Sequence, residues 1–200
     1  MSIYFKNKQF KNTISISIDS AKKQSKIEKL SGSLNGKIIY SDGEIIAVNL
    51  INLSDDFENK FQDSYGIIND SHIEFLQLKG LQSELINAIS NKKSYDAVKV
   101  IDVENYKDTR MKLVTAQSNV IYKILTNFSE IKKEQKLLIA LPGCILPNSN
   151  VVGYDDILGF KSDGLIPSEK TLGISQKISP YTDLEKIGDF NKFTWKISNK

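Results

Sequence analysis

The sequence predicts two fold classes in one chain. Residues 1–92 read as a small α+β part. Residues 93–200 read as an all-β part, a small barrel or sandwich with short helical turns. Three observations carry this. The run KIIY-SDG-EIIAVNLIN places Asp42-Gly43 between two apolar segments, the chemistry of a tight hairpin, because the turn needs positive φ and glycine supplies it at little steric cost. LQSELINAIS at 81–90 puts Leu81, Leu85, Ile86 and Ile89 on one face at helical spacing. After NKKS at 91–94 the pattern changes to short β-rich runs at close spacing, the pattern of small barrels and sandwiches.

The remaining elements follow in order. TISISI at 13–18 alternates polar and apolar residues and predicts a half-buried strand. SAKKQSKIEKL at 20–30 leans helical but has a poor apolar stripe, and reads equally as a solvated insertion; SGSLNG at 31–36 is a loop. NDSHIEF at 69–75 marks a helix start. Past the NKKS linker, AVKVIDVE (97–104), MKLVTA (111–116), VIYKILT (120–126) and KLLIAL (136–141) are strands, with Ser118-Asn119 short enough for a tight connection. PGCILPN at 142–148 leaves the last of these through a proline and a glycine. In SEKTLG, Ser168 suits a helix N-cap, Glu169 a first turn and Gly173 a C-terminus, so one short helical turn is expected, with Ile166-Pro167 fixing its approach. FNKFTWKI at 190–197 reads as a last strand.

The totals exclude several classes. In 200 residues no window approaches eighteen uninterrupted apolar residues, so no spanning helix is expected. The segment MSIYFKNKQFKN has no apolar signal core, and a cytoplasmic location is expected. Cys144 and His72 are single, which removes an internal disulfide, cysteine zinc sites and any dyad needing two histidines. The net charge is +3 and is unevenly spread: residues 1–92 hold 11 Lys against 11 acids, leaving 16 Lys and Arg against 13 acids in 93–200. Residues 107–136 carry Lys107, Arg110, Lys112, Lys123, Lys132, Lys133 and Lys136 against Asp108, Glu130 and Glu134. Such a surplus attracts phosphate, and is equally the composition of a solvated face.

Enzymatic chemistry finds little support. His72 with Glu74 is too small a set for a metal or a base with its orienting partner, and the histidine reads as a surface or capping residue. Cys144 in PGCIL reads as a small buried hydrophobe. Asp155 and Asp156 are neighbours on extended chain and point to opposite faces. No phosphate-cradling or dinucleotide fingerprint is present, so no cofactor and no metal are expected.

The stretches VKVIDVE, TRMKL, EQKLLIALPGCILP and above all ILGFKSDGLIPSEKTLGI resemble the bacterial tRNA-binding domain over residues 95–176. That domain occurs in free tRNA-binding proteins, in the phenylalanyl-tRNA synthetase β subunit and in the endothelial monocyte-activating polypeptide. In it a glycine-rich segment ending in Ser-Glu-Gly-Met and then Ser-x-x-x-Leu-Gly closes an oligonucleotide-binding (OB) barrel; here Ser162-Asp163-Gly164-Leu165 and Ser168 to Gly173 stand in those places. KIIYSDGEIIAVNLIN resembles the first domain of the YtpR-type members, a small α/β domain of unclear role. The resemblance implies a non-catalytic, structure-specific tRNA-binding protein in or near translation, with domains at 1–92 and 93–200. Its partners would be tRNA and a synthetase or ribosomal component, with no membrane; a homodimer is left open.

Departures from the family pattern are specific. Asn105-Tyr106-Lys107-Asp108-Thr109-Arg110-Met111 replaces the usual His-Pro-Asn-Ala-Asp-Lys-Leu, and Arg110 keeps the cation. Asn127-Phe128-Ser129-Glu130 replaces Gly-Ala-Pro-Asn, with Glu130 in place of the asparagine. Leu158 stands for an arginine and Leu165 for a methionine. The expected RNA-binding residues are Arg110, Lys112, Asn127, Phe128, Lys132, Lys133, Lys161, Ser162, Ser168 and Lys170, with Tyr106 and Phe160 as further aromatic platforms. Cations grip phosphate and aromatic rings stack on bases. For Ser162 and Ser168, capping competes evenly with contact to RNA. The competing function is a protein-interaction or chaperone-like module on the same barrel; an editing hydrolase would need a nucleophile or metal that the sequence does not supply.

Overall fold

The computed structural model describes residues 2–6, 10–154, 156–168 and 170–172. The chain is mostly β and divides into two compact units. Residues up to Ser94, together with Gly143–Ile145, form one; Tyr95–Pro142 and the described residues from Leu146 onward form the other.

The first unit is a six-stranded antiparallel sheet with three helices. Its strands are β1 (Ile3–Phe5), β2 (Ile14–Ser17), β3 (Lys26–Lys29), β4 (Asn35–Ser41), β5 (Glu44–Ile51) and β6 (Tyr65–Ile67), in spatial order β3-β4-β5-β2-β1-β6. The Asp42-Gly43 hairpin joins β4 to β5 with both turn residues at positive φ, 48° and 86°, as a type I′ turn requires. Segment 20–30 corrects the helical or insertion reading: Lys26–Lys29 is the edge strand of this sheet, pairing Ile27 with Ile39. An edge strand has one side open to water, so KIEK needs only a single apolar residue, and its lysines suit an exposed edge. The helices are α1 (Asp55–Lys60), α2 (Asp70–Leu78) and α3 (Ser83–Asn91). Leu85, Ile86 and Ile89 of α3 pack with Ile16, Val48, Leu50, Phe57, Phe61 and Leu76 in one core.

His72 is part of that unit's frame. It is the third residue of α2 and completes a capping box: Asn69 Oδ1 accepts from the His72 amide at 3.1 Å, and the Asn69 amide donates to His72 Nδ1 at 3.2 Å. Nε2 meets the Lys60 carbonyl at 3.3 Å, and the ring stacks on Phe61 at 4.7 Å. Burial lowers the pKa of His72. These contacts suit one neutral tautomer, Nδ1 accepting and Nε2–H donating.

The second unit is built on a four-stranded antiparallel sheet in the order β10-β7-β8-β9. Its strands are β7 (Tyr95–Asn105), β8 (Lys112–Gln117), β9 (Ile121–Thr126) and β10 (Lys136–Ala140). A bulge between Val100 and Asp102 shifts the β7–β8 register and bends the long β7. The sheet curls as a half-barrel around Val98, Val100, Val114, Ala116, Ile124, Leu137, Ile139 and Ile166. Segment 162–165 spans its open side. Leu165 exchanges two backbone hydrogen bonds with Ala140 on one edge strand, each 2.8 Å. On the other edge the Asp163 amide donates to the Lys123 carbonyl, the Lys123 amide donates to the Asp163 carboxylate at 2.7 Å, and the Leu125 amide donates to Ser162 Oγ at 3.1 Å. These four residues therefore bond to both edge strands, an arrangement compatible with an OB-like β domain. Gly164 permits the approach: a Cβ there would lie 2.6 Å from the Ala140 carbonyl oxygen. A two-stranded hairpin, β11 (Asp156–Ile157) and β12 (Phe160–Lys161), precedes segment 162–165. The expected strand at 190–197, together with Asp155, Glu169 and Gly173, lies outside the described residues.

Candidate nucleic-acid interface

The cross-strand row Asn105–Lys112–Thr126 marks one end of the second sheet. Several candidate residues converge there because β7 ends, β8 begins and β9 ends at that row. Lys112 is half-buried and its ammonium donates to Asn105 Oδ1 at 2.5 Å. Asn127 follows Thr126 and is exposed. Phe128 is half-buried against the core, with its amide donating to Thr126 Oγ1 at 3.3 Å, so it is a rim residue rather than an open platform.

The β7–β8 loop is knitted by its own threonine. Thr109 Oγ1 donates to the Tyr106 carbonyl at 2.5 Å and accepts from the Met111 amide at 3.1 Å. This fixes a compact turn in which Arg110 is exposed and has no hydrogen bond or ion pair among the described residues. The β11–β12 hairpin meets the same loop. Tyr106 and Phe160 are half-buried and contact edge-on at 5.6 Å; the Lys107 ammonium sits 4.8 Å from the Tyr106 ring centre. The Leu158 carbonyl accepts from Tyr106 Oη at 3.3 Å and Lys107 Nζ at 3.4 Å. Lys161 extends, exposed, from the end of this hairpin. The loop and the hairpin thus bring Lys107 onto the contacting Tyr106–Phe160 pair and carry exposed Arg110, Asp108 and Lys161 nearby in the chain, a composition in which cations outnumber acids and that suits phosphate and base.

Other candidates sit elsewhere or are engaged. Lys132 and Lys133 are exposed in the connection before β10. Their neighbour Glu134 pairs with Lys99 at 2.5 Å, and that ammonium holds the Glu134 carboxyl below its ordinary range. The acid beside the two lysines is therefore partnered across the sheet. Ser162 Oγ donates to the Gly164 carbonyl at 2.7 Å while accepting from the Leu125 amide, which engages the hydroxyl within segment 162–165 and its edge strand. Ser168 Oγ accepts from the Thr171 amide at 3.0 Å, and the Leu172 amide donates to the Ser168 carbonyl at 3.1 Å. This is the expected capped turn, and Lys170 rides on it, exposed.

Two features were not legible from sequence. Lys107 entered only as part of a charge surplus; its placement over Tyr106 depends on a left-handed φ of 48°. The outward face of β7 carries exposed Asp102 and Glu104, opposite Thr115 and Leu113. These acids disfavour phosphate along the strand face, whereas exposed cations outnumber acids in the β7–β8 loop. At the far end of β7, Ser118 Oγ and Tyr122 Oη both donate to buried Asp96, at 2.6 and 2.9 Å. Burial, then the bond to Asp96, pushes the Tyr122 phenol up to about 12, so it remains a hydrogen-bond donor. Cys144 is buried and His72 is spent as a cap.

No family model matches the chain. It is similar to the phenylalanine–tRNA ligase β subunit of Blochmanniella floridana, 31% identical over 114 residues. The matched stretch covers 54% of this chain and 14% of that subunit. About half of the chain is therefore related to a small part of a synthetase β subunit.

Proposed function

We propose that this chain is a non-catalytic, structure-specific tRNA-binding protein of the YtpR type, cytoplasmic and acting in or near translation. In this reading 93–200 is an OB-fold domain, 1–92 is a separate domain, and a synthetase or ribosomal component is a further partner. The similarity to a phenylalanine–tRNA ligase β subunit carries the reading. The half-barrel spanned by 162–165 and the rim of Arg110, Lys107, Lys161, Tyr106 and Phe160 support it. The rim would hold backbone phosphates by charge and an unpaired base by stacking, recognising tRNA by shape. The test is a titration of mixed tRNA at two salt concentrations, with single-stranded DNA and duplex RNA as competitors. Salt-dependent binding that prefers tRNA supports the assignment; equal affinity for all three removes it.

A second reading is a protein-interaction or chaperone-like module on the same barrel. Val151, Tyr154, Ile157 and Leu158 favour it, being 41–58% exposed within eight residues of chain. Capture of unfolded polypeptide, insensitive to salt and abolished in Leu158→Asp, would support that reading.

A further inference from the structure

The first unit holds a cleft that the proposed interface does not use. It has a volume of about 440 Å³ and opens where Lys6, at the end of β1, and the segment 10–13 face α1 and the α1–β6 connection. We propose that this cleft binds a nucleotide, its base on Phe10 and its phosphate on Lys11.

Phe10 is 62% exposed, the most exposed aromatic ring among the described residues. A ring left in water at the mouth of a cleft presents a flat apolar face to whatever enters, and a nucleobase is the flat ligand that stacks on it irrespective of sequence. Lys11 is exposed beside it, without an ion pair among the described residues. The other lining groups suit a base edge and ribose. The Asn12 amide has no hydrogen bond among the described residues, and it projects from a residue at φ 57°, whose own carbonyl accepts from the Leu53 amide at 3.0 Å. Gln62 spends its nitrogen on the Asn59 carbonyl at 3.1 Å, which turns its amide oxygen into the available acceptor. The Ser64 backbone is fixed by the Lys6 amide at 2.8 Å. The one carboxylate, Glu58, is paired with Lys6 at 2.7 Å, so it is neutralised toward a phosphate while its oxygens can still accept from a ribose hydroxyl. The volume falls in the range of small-ligand clefts, and one ring, the lysine Lys11 and neutral amides can meet a base, a phosphate and a base edge in turn. A free mononucleotide and an unpaired nucleotide of an RNA share this chemistry.

The experiment uses the whole chain, isotope-labelled, and follows backbone amides by NMR during titration with AMP, UMP, adenosine and a single-stranded RNA trinucleotide. The expected result is saturable shifts at residues 10–13, 58 and 62, with adenosine binding more weakly than AMP. Phe10→Ala should weaken AMP roughly fivefold or more, the scale of removing one base stack. Lys11→Glu should weaken AMP and leave adenosine unchanged. Both side chains are exposed, so both variants should keep the wild-type melting temperature. A trinucleotide that binds much more tightly than AMP identifies an RNA-borne nucleotide; equal affinities identify a free one. No saturable shift at millimolar nucleotide, or AMP binding unaltered in Phe10→Ala, overturns the proposal. Arg110→Glu should leave this site untouched, so the outcome is separable from that of the tRNA titration.

Discussion

Two hairpins of this chain have the same geometry and opposite chemistry. β4–β5 turns through Asp42-Gly43, at φ 48° and 86°; β11–β12 turns through Leu158-Gly159, at φ 53° and 75°. Aspartate tolerates the left-handed region through local hydrogen bonding, whereas leucine gains nothing there and is crowded by its own Cβ. Leu158 is also 58% exposed. The second hairpin is held from outside by Tyr106 and Lys107, which donate to the Leu158 carbonyl. A turn that follows local preference is self-sufficient; one that violates it depends on tertiary contacts, and such places concentrate at functional surfaces.

The sharpest way to break the second unit is at its closure. Gly164→Ala should lower stability by about 2–3 kcal/mol, because the new methyl meets a backbone carbonyl that cannot move freely. Denaturant unfolding measures it. Leu158→Asn should act in the opposite sense, raising stability by about 1 kcal/mol as the strain is relieved. Asp42→Leu should lower it by about the same amount at the matching turn. No gain in Leu158→Asn would show that the leucine at this turn carries no strain.

His72 gives the smallest effect and a defined sign. Its folded pKa is depressed by burial, so the unfolded chain takes up the proton more readily. The associated stability is complete above the unfolded value and falls away as pH drops through it toward the folded one. The loss begins as pH drops below the ordinary histidine range and is read as a fall in melting temperature. His72→Gln keeps a capping-box residue and should flatten that part of the pH profile.

The contrast between the hairpins also explains what could be read in the sequence. Asp42-Gly43 between apolar runs announces its turn, and the stripe of α3 announces its helix, because in both the local signal and the tertiary outcome agree. Leu158-Gly159 carries no turn signal in its first residue, and Lys26–Lys29 carries almost no strand signal, since an edge strand is specified by its neighbour β4. The capped turn at Ser168 was legible from its cap. The site was legible only as a set of residue types. That Arg110 stands free, that Lys112 is tied to Asn105 and that Asp102 and Glu104 face outward depends on register and on the bulge in β7.

The most direct measurement is the salt dependence of tRNA affinity for the wild type and for Arg110→Glu. Arg110 is exposed and unpaired among the described residues, so the variant should keep the wild-type melting temperature. The account predicts weaker binding and a log–log salt slope shallower by about 0.7–0.9, the share of a single phosphate that the variant no longer neutralises. Unchanged affinity and slope, in a protein that binds tRNA, would contradict the placement of the interface on this rim.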